Sequence, residues 1–152
     1  MSISLRTALE TEAEYLTELA LRSKRAWGYD EDLMASVMPD MIVNPQYLQT
    51  EYGIVAERDG VRLGYAIVRI DGDAAFLRDL FVEPQYFRQG IGRALFLAAV
   101  EYARTNGANA LRLSGDPNAR GFYERLGMIQ VDEEPSIVGA GRLLPIMHLD
   151  LA

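Results

Sequence analysis

Between Tyr52 and Val82 the period of the sequence changes to two, and this stretch limits the possible folds more than any other. Residues 53–58, Val61–Asp71 and Ala74–Val82 read as strands, with Asp59-Gly60 and Asp71-Gly72-Asp73 between them. Aspartate–glycine pairs supply the positive φ that tight hairpin turns demand. Three antiparallel strands in a meander are therefore expected. A meander of this kind must have its apolar faces covered, and the flanking segments are patterned to cover them.

Ahead of it, residues 3–9 read as a first strand with Ile3, Leu5 and Thr7 on one face. Thr11 looks like a helix N-cap with Glu14 completing a capping box, and Tyr15, Leu16, Leu19, Ala20 and Leu21 recur at helical spacing towards Ala26. Trp27-Gly28-Tyr29 breaks that helix. Asp30 can cap a second one running through Leu33, Val37 and Met41, and residues 45–50 add a helical turn. Behind the meander, residues 90–106 form the strongest helical pattern, with Ile91, Leu95, Ala98 and Tyr102 as its stripe and Gly107 as its stop. Ala110–Ser114 is a short strand, and Asp116-Pro117 opens a helix that ends at Gly127. Residues 128–132 and 144–151 make the last two strands. The order β-αα-βββ-α-β-α-ββ predicts an α/β (mixed α+β) fold, a mostly antiparallel sheet with helices on both faces. A length of 152 residues suits one domain, 1–152, around one core.

Charge and residue usage narrow the function. A net charge of −7 argues against nucleic acid or an anionic membrane as partner and favours cationic small molecules or basic peptides. The chain has no cysteine, which excludes disulfides, thiolate metal sites and a cysteine nucleophile and fits the cytoplasm. His148 is the only histidine and Lys24 the only lysine, so multi-histidine metal sites and Schiff-base chemistry are not expected. The opening MSISLRTALETEAEYL lacks the basic-then-apolar layout of a signal peptide, and the longest apolar run, residues 94–100, is far short of a membrane span.

The stretch PQYFRQGIGRALFLAAVEYA sets two glycines, Gly90 and Gly92, at the start of a helix, where each costs about 1 kcal/mol of propensity against alanine. One reading is a tight loop that needs positive φ. The other is an anion site, because a helix N-terminus offers unpaired N–H groups and the positive end of the macrodipole. Arg88 and Arg93 would add charge at either end. Two phosphate-binding rivals fail on the letters. A Walker loop needs Gly-Lys-Ser/Thr, but Arg93 and Ala94 follow Gly92; a dinucleotide fingerprint needs a glycine where Leu95 stands.

LFVEPQYFRQGIGRAL resembles the acetyl-CoA-binding motif of the GNAT superfamily of acyl-CoA N-acyltransferases, and DPNARGFYERLGM resembles that family's next motif. SKRAWGY and GRLLP resemble segments of a bacterial GNAT subgroup. The resemblance spans nearly the whole chain. It implies acetyl-CoA as acyl donor, bound by Leu80, Phe81 and Val82 of the strand and by Arg88, Gln89, Gly90, Ile91, Gly92 and Arg93 of the loop. It also implies Tyr123 as general acid to the thiolate, and Asp116 or Asn118 beside the pantetheine arm. Two positions depart from the family pattern. Phe87 stands where glutamine or arginine is usual, and Asp116 stands where asparagine is common.

The general base is open. Asp79 and Glu83 flank Leu80-Phe81-Val82 and either can reach the acceptor side; Asp79 can equally be a carboxylate paired with an arginine, and a water chain can do the same work. Trp27 and Tyr29 sit where the family places its acceptor cleft, as substrate-binding groups or as lids on the core. Arg142 can bind a substrate carboxylate or cap a strand end, and His148 reads as structural. The expected activity is direct N-acetyl transfer from acetyl-CoA to an amine of a small molecule or peptide, without metal, nucleic acid or membrane. A homodimer is compatible with the sequence. The rival is a CoA-binding module that senses acyl-CoA without turnover.

Overall fold

The computed structural model describes residues 2–136 and 142–152, so Gly141 of the GRLLP stretch lies outside the described residues. β1 (Ser4–Thr7) leads through a 3-10 turn at Glu10–Glu12 into α1 (Ala13–Arg25), α2 (Glu31–Met41) and a short α3 (Tyr47–Thr50). The meander follows as β2 (Tyr52–Arg58), β3 (Val61–Asp71) and β4 (Ala74–Val82). Then come α4 (Ile91–Thr105), β5 (Ala110–Ser114), α5 (Arg120–Arg125), β6 (Ile129–Pro135) and β7 (Leu143–Asp150). The strands form one seven-stranded sheet in the order β1-β2-β3-β4-β5-β7-β6. All neighbours are antiparallel except β4 and β5.

Helices cover both faces, which is why β3 reads as an almost unbroken apolar run. Leu63, Ala66 and Val68 face α4, packing with Leu95, Phe96 and Ala99. Tyr65 and Ile67 face the opposite way, into a second cluster with Leu16, Leu19, Met34 and Val37 of α1 and α2. Each buried leucine or isoleucine of these clusters contributes about 1.5–3 kcal/mol of transfer free energy. Among the described residues no helix is long and apolar enough to cross a membrane.

Two irregularities of β4 shape everything that follows. In the β3–β4 register Ile67 pairs with Asp79 but Val68 pairs with Leu77, leaving Arg78 as an extra residue. A bulge of this kind re-aims the side chains beyond it. Before it, Ala75 and Leu77 face α4; beyond it, Leu80 and Val82 take that face and Phe81 turns to α1 and α2. The second irregularity is a wedge. β4 and β5 pair at Ala74–Ala110, Ala75–Leu111 and Phe76–Arg112, and among the described residues no further, although β4 continues to Val82. β5 follows β7 instead, as far as Ser114–Ile146.

Four local expectations are corrected. Thr11 does not cap α1. Glu12 does the comparable work one turn earlier, accepting from the Leu9 N–H at 2.8 Å, because its carboxylate is already held by Arg6 and Arg62. The buried stripe of α4 is Ile91, Leu95, Phe96, Ala99, Val100 and Ala103; Ala98 and Tyr102 lie at its margin, where the Tyr102 ring stacks on Tyr52 at 4.0 Å. Leu5 is exposed, since β1 is an edge strand with little packed on that face. β6 runs three residues beyond Asp132 to Pro135, past a register shift between Gln130 and Asp132.

Candidate active site

The wedge between β4 and β5 opens into a cleft of about 980 Å³. Its walls come from α1, α2, the end of β4, the loop before α4 and the head of that helix, β5 and the loop after it, α5, and the ends of β6 and β7.

The loop before α4 is curled by two successive uses of the left-handed region, Arg88 at φ 64° and Gly90 at φ 82°. Only glycine adopts that region freely, and a side chain at Gly90 would otherwise meet nothing within 4 Å. Gly92 has a different reason. A Cβ there would lie 3.0 Å from the Phe122 ring, so this glycine lets α5 pack against the head of α4 rather than clearing space for a ligand. Among the described residues the N–H groups of residues 88–93 have no hydrogen-bond acceptor, and Gly90 supplies no side-chain cap. Arg88, Gln89 and Arg93 are exposed beside them, and neither arginine has an ion-pair partner among the described residues. This is a concave, donor-rich, positively charged surface of the kind that binds phosphates.

On β4 the Glu83 N–H donates to the Leu63 carbonyl at 2.9 Å. N–H directions alternate along a strand. The amides of Val82 and Leu80 therefore point away from β3 into the wedge, while that of Phe81 points to β3. Two amides of the expected three are available.

Asp79, turned by the bulge, accepts a hydrogen bond from the Tyr65 hydroxyl at 2.9 Å. Burial pushes its carboxyl up to about 6, against the lowering effects of the Tyr65 hydroxyl and the Arg78 charge. Asp79 is not paired with an arginine: Arg78 is clamped on Glu51 at 2.7 and 2.8 Å and lies over the Tyr47 ring. Tyr123 is buried, its ring in contact with Phe96 and edge-on to Phe122. Burial raises its hydroxyl well above the ordinary tyrosine value, with the charges of Asp79 and Asp116 adding to the effect. That hydroxyl has no hydrogen-bond partner among the described residues, and the side chain lines the cleft.

Trp27 lines the cleft at 45% exposure, whereas Tyr29 stands behind the wall. The Tyr29 hydroxyl donates to Asp116 at 2.8 Å and accepts from Asn118 Nδ2 at 2.8 Å and Arg142 at 3.0 Å. Asp116 also receives Lys24 Nζ at 2.6 Å, Arg142 at 3.2 Å and the Asn118 N–H at 2.8 Å. Burial opposes its ionisation, but these donors, Lys24 foremost, outweigh burial and hold the carboxyl below its ordinary range. Glu83 does not reach the acceptor side. It is 7% exposed, outside the cleft lining, and held bidentately by Arg22 at 2.9 and 2.7 Å. His148 accepts from Arg112 Nε at 3.0 Å on β7, away from the cleft.

Two participants escaped the sequence reading. Tyr65 is legible only once the β3–β4 register is known. Lys24 was conspicuous as the sole lysine, but its partner Asp116 lies 92 positions away in the chain.

Comparison with known proteins gives the family and the fold. A family model described as the acetyltransferase (GNAT) family matches residues 13–128. A Bacillus subtilis (strain 168) protein bearing the name acetyltransferase is 32% identical over 99 residues, 65% of this chain and 67% of that protein. A second, from the same organism and named for ribosomal protein bS18-alanine N-acetylation, is 35% identical over 79 residues, 49% of this chain and about half, 52%, of its own length. Among solved structures, the PaiA N-acetyltransferase of Thermoplasma acidophilum in complex with coenzyme A superposes with a TM-score of 0.84 at 22% identity, covering 99% of both chains.

Proposed function

Because the chain belongs to the acetyltransferase (GNAT) family, we propose that it moves an acetyl group from acetyl-CoA directly to an amine of a small molecule or peptide. The observation that carries this reading is convergence: Asp79, the wedge-facing amides of Leu80 and Val82, Tyr123 and the bare N–H groups ahead of α4 all border one cleft. The residues fit CoA, since amides and two arginines without partners among the described residues suit its phosphates and the wedge admits a slender arm. Asn118, whose Nδ2 is already engaged, keeps its amide oxygen as an acceptor towards that arm; the Asp116 oxygens are taken.

When bound, acetyl-CoA supplies an acetyl group activated as a thioester. The amides of Leu80 and Val82 stabilise the negative charge that develops on the carbonyl oxygen. Asp79, titrating near 6, takes the proton the acceptor amine must lose before its nitrogen bonds the acetyl carbon. Tyr123 stays protonated at neutral pH and gives its hydroxyl proton to the departing sulfur as the carbon–sulfur bond breaks, and the second proton that the nitrogen loses on becoming an amide restores the hydroxyl. Trp27 shields the acceptor side from water.

Tyr123→Phe tests the assignment by release of free thiol across a panel of amines and peptides, N-terminal alanine peptides included. The hydroxyl has no hydrogen-bond partner to lose among the described residues, so stability should fall by less than the roughly 1 kcal/mol typical of one hydrogen bond. Turnover should drop about 10²-fold, the lower end for general acid catalysis, with KM for acetyl-CoA unchanged. Wild-type turnover in the variant makes Tyr123 a packing residue. A wild-type protein that gains melting temperature with CoA but acetylates nothing would be a sensing module instead.

A further inference from the structure

Lys24 and Arg142 share one carboxylate, Asp116, at the cleft wall. Asp116 is saturated by five donor groups and acts as the anchor that positions the two cations, so one unit of positive charge is left over. Both cations also flank the Tyr29 ring, Lys24 Nζ at 5.5 Å and Arg142 Cζ at 5.2 Å from its centre, which fixes them in place. Tyr29 adds no balancing charge, because burial keeps its hydroxyl protonated. Glu134 and Asp40 also line the cleft; Glu134 is turned to Ser114 Oγ at 2.6 Å, and neither forms an ion pair with Lys24 or Arg142 among the described residues. Only 11% and 15% of the Lys24 and Arg142 side chains is exposed, and both line the cleft that Asp79 lines. An excess charge this poorly hydrated is costly unless an anion completes it. The phosphates of CoA already have their own donors at residues 88–93, so the remaining candidate is the acceptor.

We propose that the acceptor carries a carboxylate as well as its amine, and that Lys24 and Arg142 dock this carboxylate while the amine is presented to Asp79. This rests on the acetyl-transfer reading above and names its substrate class: amino acids, or peptides with an acidic group close to the reacting amine. Arg142, which also donates to Ser136 Oγ at 3.1 Å, keeps N–H groups beyond those its described partners take, and Lys24 uses one of its three; such donors make charge-assisted bonds to a carboxylate that a carboxamide cannot match.

The test is a set of matched acceptors, each amino acid beside its carboxamide, with one to five carbons between amine and acid, plus short peptides with an acidic or amidated second residue. Thiol release is measured at low and high salt. The acids should exceed their amides by about 10- to 100-fold in kcat/KM, less at high salt. The preferred member, free amino acid or peptide, identifies the source. Arg142→Gln and Lys24→Gln should each collapse the acid-to-amide ratio towards one through the acceptor KM, with KM for acetyl-CoA unchanged; Arg142→Lys should keep part of it. Because each variant is read as a ratio of two acceptors, a general loss of stability cancels. Quenching of Trp27, the only tryptophan, by the acids but not the amides in CoA-loaded protein gives a readout without turnover. Equal or better use of amides, or a ratio unmoved in Arg142→Gln, overturns the docking of a carboxylate and leaves acetyl transfer standing. Absence of any turnover with CoA still bound overturns both.

Discussion

A carboxylate titrating near 6 must answer for itself in two measurements. Asp79 is the base in the reading above, so kcat/KM should fall as pH drops below about 6, and Asp79→Asn should lose that limb together with about 10²–10⁴ in rate. Tyr65→Phe removes a hydrogen bond that lowers the Asp79 value, so the limb should move to higher pH. The same group sets a stability term of definite sign. Its value is raised from 3.8 to about 6 in the folded protein, so the protonated form is the one that folding favours. The contribution is complete below pH 4 and is lost as pH climbs through 6, amounting to about 3 kcal/mol. Asp79→Asn should therefore raise the melting temperature at pH 8 and flatten its dependence between pH 4 and 6.5. A variant that melts with the wild type at pH 8 would mean that Asp79 is hydrated in solution.

At the level of elements, the head of α4 separates two kinds of glycine that the letters make look alike. Gly90→Ala should cost about 1–2 kcal/mol through backbone conformation alone, since a Cβ meets nothing there, and Gly90→Asn should cost less because asparagine tolerates the left-handed region. Gly92→Ala should instead be sensitive to its neighbour. Its cost comes from the Phe122 ring 3.0 Å away, so a double-mutant cycle with Phe122→Leu should show coupling, whereas the Gly90 variants should add independently. Additivity at both positions would mean that α5 shifts freely against α4. The bulge at Arg78 is the other device at this scale: by inserting one residue it hands Asp79 to Tyr65 instead of to the core under α4.

For the molecule as a whole, the sequence was most informative where physics is local. Asp59-Gly60 and Asp71-Gly72-Asp73 located the hairpin turns, Asp30 capped α2 by accepting from the Leu33 N–H, and Gly107 stopped α4 in the left-handed region. It was silent where partners are remote. Nothing in the letters around Glu83 announces Arg22, 61 positions away, and a solvent-facing carboxylate was the natural misreading. Nor can period counting find a one-residue bulge, because Arg78 fits either register. The cation pair at Asp116 joins three segments that only the fold brings together. Strands β1–β4 and strands β5–β7 are zipped along a seam of three rungs, Ala74–Ala110 to Phe76–Arg112, with the Asn109 N–H donating to the Asp73 carbonyl at its near end, and past Phe76 no backbone pairing joins them among the described residues. Such a seam divides the sheet into two cooperative units that can open separately. In the free protein, amide protons of β5 and β7 should exchange with deuterium sooner than those of β2 and β3. A ligand spanning the wedge touches both units at once, so saturation with acetyl-CoA should bring their exchange together, and the molecule would then be held closed by what it is about to consume.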